Sequence, residues 1–135
     1  MEPYIHTVQY YETDKMGIVH HSNYIRWMEE ARVAFLAAIG WPFEKLEALG
    51  LVSPVVAVDG KYRLVSRFPE QISIRVRVES FSGVRLCFGY EMRNAAGETV
   101  FEGRSEHCFL DAEGRPVRMK KTLPDFYAAL EAEIS

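Results

Sequence analysis

The chain has 135 residues, with 16 Lys and Arg against 19 Asp and Glu, a net charge of −3, and 48% apolar residues. These values predict one soluble globular domain over residues 1–135, large enough for an ordinary core. They give no footing to a general nucleic-acid binder, and no apolar run reaches the roughly 20 residues that membrane insertion needs.

Met1 to Tyr11 has no basic stretch followed by an apolar run, so no signal peptide is expected. Tyr4 to Tyr11 is rich in aromatic and β-branched residues and predicts a first strand, with Val8 and Tyr10 on one face and Gln9 and Tyr11 on the other. The next stretch, Thr13-Asp14-Lys15-Met16-Gly17-Ile18-Val19-His20-His21-Ser22-Asn23-Tyr24, sets a carboxylate before a glycine turn and two histidines at the mouth of a helix. Ser22 or Asn23 is the expected N-cap, and Gly40 with Pro42 the expected stop. Between them Ile25, Met28, Ala31, Phe35 and Ile39 recur at helical spacing, flanked by Trp27, Val33, Leu36 and Ala37. A helix this apolar expects burial on most sides.

Phe43, Leu46 and Leu49 mark a short second helix within residues 41–50. Leu51 to Ser66 reads as extended, with Val55, Ala57, Asp59 and Lys61 facing one way, Val56, Val58 and Tyr62 the other, and a bulge at Gly60. Ile72, Ile74, Val76 and Val78 then alternate with polar residues, as do Val84, Leu86, Phe88, Tyr90 and Met92. The link Ser80-Phe81-Ser82-Gly83 suits a hairpin, and Asn94-Ala95-Ala96-Gly97 a turn into a long strand from Thr99 to Leu110. Strands joined by tight turns pair antiparallel, and one apolar face each suits a sheet covered on one side by a helix, which is α+β architecture. Thr122 with Asp125 resembles a capping box for a terminal helix carrying Phe126, Tyr127, Leu130 and Ile134. Cys87 and Cys108 lie within strand patterns and read as reduced packing residues of a cytoplasmic protein.

Asp14 taken alone is an ordinary turn aspartate that binds its own backbone. Its setting adds chemistry. A helix N-terminus offers unpaired N–H groups and partial positive charge, which can hold a developing oxyanion. A carboxylate beside it can attack a carbonyl or take a proton from water.

The run Thr13-Asp14-x-x-Gly17-Ile18-Val19-x-His21-x-Asn23-Tyr24, with Glu29-x-Ala31-Arg32 after it, resembles the 4-hydroxybenzoyl-CoA thioesterase family. The histidine makes it look closer to the branch of Tol–Pal-associated acyl-CoA thioesterases. The resemblance covers nearly the whole chain. It implies a hotdog fold, a long central helix wrapped by a curved antiparallel β-sheet. It also implies a homodimer or homotetramer with active sites between subunits, and a small or aromatic acyl-CoA as substrate. Asp14 would be nucleophile or general base. His21 would orient water, donate to the leaving thiolate or fix Asp14, and Tyr10 would assist by hydrogen bonding. Gly17, Ile18, Val19, His20, Ser22 and Tyr24 would form the substrate-binding surface.

Arg85 is a candidate for a CoA phosphate, as is the run Arg115, Arg118, Lys120 and Lys121, although such a run is more often a solvated edge. His20 reads as a loop residue that lines the pocket without catalytic work, and His6 and His107 as packing or surface residues. Adjacent His20 and His21, pointing apart, would chelate poorly, so no metal is expected, and no cofactor beyond the CoA of the substrate. Two rivals share the fold: a hydratase or dehydratase of hydroxyacyl thioesters, and a non-catalytic acyl-CoA binder. If the helix is central, Phe35→Ala costs roughly 3–5 kcal/mol through the cavity it leaves. Chemical denaturation measures this, and a loss well under 1 kcal/mol would displace the helix from the core.

Overall fold

A computed structural model describes residues 1–134. The strand expected from Tyr4 to Tyr11 is shorter: β1 covers Tyr4–Thr7, and Tyr10–Glu12 winds into a single 3-10 turn. The cause lies in Glu12, whose carboxylate reaches back to the Gln9 N–H at 2.8 Å and folds the chain before the strand can continue. Tyr10 and Tyr11 therefore stand on the surface, 77% and 80% exposed, rather than alternating across a sheet.

Helix α1 covers Ser22–Ala38, α2 Phe43–Ala48, α3 Met119–Thr122 and α4 Pro124–Glu131. Strands β2 (Val55–Tyr62), β3 (Gln71–Phe81), β4 (Arg85–Arg93) and β5 (Thr99–Cys108) join β1 in one sheet of order β1-β3-β4-β5-β2. All neighbours are antiparallel. The architecture is α+β, as expected, with one long helix laid on the sheet. Ile72, Ile74 and Val78 of β3 and Leu86, Phe88, Tyr90 and Met92 of β4 are all buried. Phe126 and Leu130 of α4, both 0% exposed, close one end of the core beside Phe81 and Phe109. None of the helices described is long and apolar enough to cross a membrane.

The buried stripe of α1 is Tyr24, Trp27, Met28, Ala31, Phe35 and Leu36, joined by Asn23 and Arg32. Ile25, expected in the core, is 48% exposed, while Trp27, expected on the flank, is 0% exposed. Apolar residues lie around most of this helix, so periodicity alone leaves the rotation about its axis open. The N-cap is His21, in helical conformation and without a side-chain cap bond, not Ser22 or Asn23. The Asn23 amide has another use: its Nδ2 donates to the Glu12 carbonyl at 2.9 Å.

Three further expectations are corrected. The register shift in β2 falls between Val55 and Ala57, not at Gly60. Gly60 is needed for a different reason, because the Phe101 ring occupies the space a Cβ would take. The last long strand stops at Cys108, and Leu110 instead bridges Val52 and Pro116. Thr122 ends α3 rather than capping α4, which begins at Pro124 with no side-chain cap bond. Both cysteines are free thiols.

Beneath α1 runs a chain of buried polar groups. Arg32 Nη1 donates to the Tyr90 hydroxyl at 3.1 Å, that hydroxyl shares a 2.6 Å bond with Ser105, and Ser105 Oγ meets His107 Nε2 at 2.8 Å. Burial, then the nearby Arg32 cation, push His107 down from 6.5 to about 4. The unfolded chain thus takes up a proton near pH 6.5, where the folded chain does not. Stability is full above that pH and falls as pH drops toward 4, by up to about 3 kcal/mol from this group. Urea unfolding at pH 7 and pH 4.5 tests this, since His107→Asn removes that part of the slope.

Candidate active site

The site begins with Glu12. Its side chain is 5% exposed, and its oxygens accept from three donors at 2.8 Å: the Gln9 N–H, His6 Nε2 and Trp27 Nε1. Burial by itself would raise its pKa, but the bonds from Gln9, His6 and Trp27 outweigh burial and hold it below the usual carboxylate value. The other ring nitrogen of His6 lies 3.2 Å from Glu30, which also accepts from the Tyr4 hydroxyl at 2.9 Å. Of the two readings of His6, packing or surface, the structure gives packing: it is buried and its ring lies 4.6 Å from that of Trp27. Glu12 escaped the motif reading. Its signal was the spacing of Gln9 and Glu12, which form a capping box across the 3-10 turn.

From Glu12 the chain makes a tight loop. Thr13 bridges Val19, the Asp14 N–H donates to the Ile18 carbonyl, and the Gly17 N–H donates to the Asp14 carbonyl. Gly17 has φ +75, a conformation that L side chains rarely adopt, which is the physical reason for glycine at the bend. One Asp14 oxygen accepts from the Met16 N–H at 2.8 Å, so the turn role expected of any such aspartate is present. Asp14 nevertheless lines an open groove of about 870 Å³, together with Tyr10, Lys15, His20, Ser22 and Arg26. Four of the sequence-predicted residues thus converge.

His21 packs beside this groove rather than lining it. Its ring lies 6.4 Å from Tyr62, edge-on, and 4.2 Å from the His20 ring. The two histidines therefore lean together instead of pointing apart, as their sequence adjacency implied. Among the described residues no group of three or more His, Cys, Asp or Glu side chains is placed to hold a metal. Tyr24 is a core residue, 3% exposed and stacked on Phe101 at 5.0 Å, which corrects its assignment to the substrate surface. Val19 is likewise buried, its N–H donating to the Ser66 carbonyl, while Ile18 is half-buried. Arg85 is not brought to the groove: it starts β4, beside Cys108, and pairs with Glu106 at 3.5 Å. The loop packs instead against Ser66, ahead of the start of β3, and Ser73 of β3 pairs with Arg93 at the other end of β4.

The helix entrance supplies backbone donors unequally. The His20 N–H donates to the Glu12 carbonyl at 2.9 Å, and the Ser22 N–H to His20 Nδ1 at 3.3 Å. Within His20–Ser22 this leaves the His21 N–H as the amide without a protein acceptor among the described residues. A carboxylate and an uncommitted helix-end N–H close together in sequence and on one loop can polarise a carbonyl and attack it.

Thioesterases and thioester hydrolases are among the known proteins similar to this chain. YneP of Bacillus subtilis (strain 168), whose name proposes an acyl-CoA thioesterase, is 35% identical over 125 residues, covering 92% of this chain and 91% of its own. The acyl-CoA thioester hydrolase YbgC of Escherichia coli O6:H1 is 26% identical over 118 residues, 87% of this chain and 85% of its own. The crystal structure of a DHNA-CoA thioesterase from Staphylococcus aureus superposes with a TM-score of 0.93 at 30% identity, over 97% of this chain and 89% of that one. The family model described as the thioesterase-like superfamily matches residues 8–130, from just after β1 into the last turn of α4. With its loop, α1 and four of its five strands inside that span, the chain belongs to the thioesterase-like superfamily, whose fold is the hotdog.

Proposed function

We propose that this protein hydrolyses acyl-CoA thioesters to a free acid and CoA. The observation that carries the reading is the Asp14 carboxylate, held by the Gly17 turn in an open groove that begins at the entrance of α1. A thioester carbonyl over that entrance would accept from the His21 N–H. The bond strengthens as negative charge gathers on the oxygen, which is what lowers a barrier. Asp14 then acts in one of two ways. As nucleophile it forms an acyl-aspartyl anhydride, expels CoA thiolate and is regenerated by water. As general base it takes a proton from water, which attacks directly. His21 and Tyr10 serve as hydrogen-bonding partners of water or of the leaving thiolate. No cofactor beyond the substrate's own CoA enters this scheme.

The 4-hydroxybenzoyl-CoA family pattern, on its histidine-bearing side, is the finer placement we favour, supported by His21 and by the likeness to YbgC. A cytoplasmic location is supported by the free thiols Cys87 and Cys108. The working unit in this reading is at least a dimer. Strand β2 is one of the two sheet edges, and every one of its eight residues is exposed, with Val55 at 50%, Val56 at 43%, Val58 at 41% and Tyr62 at 52%. A long apolar edge with unpaired backbone groups invites a second strand, and a second copy of β2 supplies one by two-fold symmetry.

Thiol release from a panel of acyl-CoAs tests the activity. Asp14→Asn keeps the shape but neither attacks nor accepts the proton, so the rate is expected to fall ~100-fold or more. Binding without release by the wild type would favour the non-catalytic binder, and hydration of an enoyl-CoA the hydratase. Light scattering of Val58→Lys tests the dimer. A lysine on the exposed edge is expected to shift the protein to monomer, and an unchanged mass would remove β2 from the interface.

A further inference from the structure

We propose that Glu12 is a positioning residue for Asp14, a role that rests on the thioester hydrolysis proposed above. Glu12 holds the loop at both ends. Its side chain fixes the loop's start to β1 through His6, to the main chain of Gln9 ahead of the 3-10 turn, and to α1 through Trp27. Its backbone carbonyl fixes the loop's end, accepting from the His20 N–H and from Asn23 Nδ2, both at 2.9 Å. Asp14 lies two residues after Glu12, and the His21 N–H one residue after His20. A shift of Glu12 therefore moves the attacking carboxylate and the carbonyl-binding amide relative to each other. An error of about 1 Å between such groups is enough to cost on the order of 100-fold in rate.

The carboxylate form is required. Every group that meets the Glu12 oxygens from a neighbouring element is a donor: an indole N–H, a main-chain N–H and a histidine ring nitrogen. A glutamine of the same shape has one acceptor oxygen and turns an NH2 toward one of these donors. His6 is itself braced from behind by Glu30, so the misfit is passed to the loop rather than absorbed by the strand.

The test is the steady-state hydrolysis of whichever acyl-CoA the panel ranks first, with Glu12→Gln, Asp14→Asn and the double variant, below the melting temperature of each. Positioning predicts a kcat about 10- to 100-fold lower in Glu12→Gln with KM within about threefold. It also predicts that the double variant is no slower than Asp14→Asn, because a residue acting through Asp14 has nothing left to position. A kcat within twofold of wild type, with only a lower melting temperature, would show a purely structural role and overturn the proposal. So would a rise in KM alone, or losses that multiply in the double variant. Trp27→Phe, which removes one donor and keeps an aromatic ring, replaces Glu12→Gln if that variant does not fold.

Amide hydrogen exchange reads the same clamp without turnover, so it decides the matter even if the wild type hydrolyses nothing and the thioesterase reading fails. The Asp14, Gly17 and His20 amides are expected to exchange about tenfold faster in Glu12→Gln while those of β3 and β4 hold their rates. Unchanged exchange in the loop would overturn the clamp.

Discussion

A single buried carboxylate ties the first quarter of this chain together. Taking Glu12 out of water is unfavourable unless its oxygens find donors, and three converge on it from β1, the main chain of Gln9 ahead of the 3-10 turn, and α1. Each of those elements is then fixed relative to the others by the same ion. The strand stops where Gln9 turns back to meet it, the tryptophan of α1 rotates inward to reach it, and the loop between them closes on its carbonyl. The buried face of α1 follows from this. Trp27 points at Glu12, and the stripe that runs with it, Tyr24, Ala31 and Phe35, faces the sheet.

The groove inherits its chemistry from that arrangement. Asp14 sits on a loop whose other end is the start of a seventeen-residue helix, and aligned peptide dipoles make that end partly positive. In the proposed mechanism a negative charge developing on a thioester oxygen is favoured there, and no side chain has to reorganise to meet it. The proton-bearing side chains around it are exposed, whereas the second polar chain, from Arg32 to His107, is sealed beneath the helix. The two clusters differ in consequence. One is open to substrate and water, and the other acts on stability, through a histidine held neutral by burial.

The β2 side of the protomer has a different character. Its apolar residues are exposed, and the ring of Phe101 fills the space a Cβ would take at Gly60 where β2 pairs with β5. A sheet edge this long and this apolar is a liability in isolation, and the proposed two-fold partner is the economical way to cover it. The open groove beside Tyr10 and the exposed ring of Phe68, 5.8 Å from it, has the same unfinished quality.

Alternation in β3 and β4, the helical repeat from Ile25 to Ile39 and the glycine turns placed most elements from the sequence, because those signals are local and periodic. The Asp14-x-x-Gly17 run and the two histidines marked the loop for the same reason: side-chain type and backbone bend are encoded within a few residues. What the tertiary structure decided were the long-range choices. Which way α1 rolls, that Tyr24 is core while Tyr10 is surface, that Arg85 starts β4 away from the groove, and that Glu12 has three partners all depend on residues far apart in the chain. Glu12 reads in sequence as one more polar residue beside a turn. Only packing brings His6 and Trp27 to it, and only burial turns their hydrogen bonds into the constraint on which the site is built.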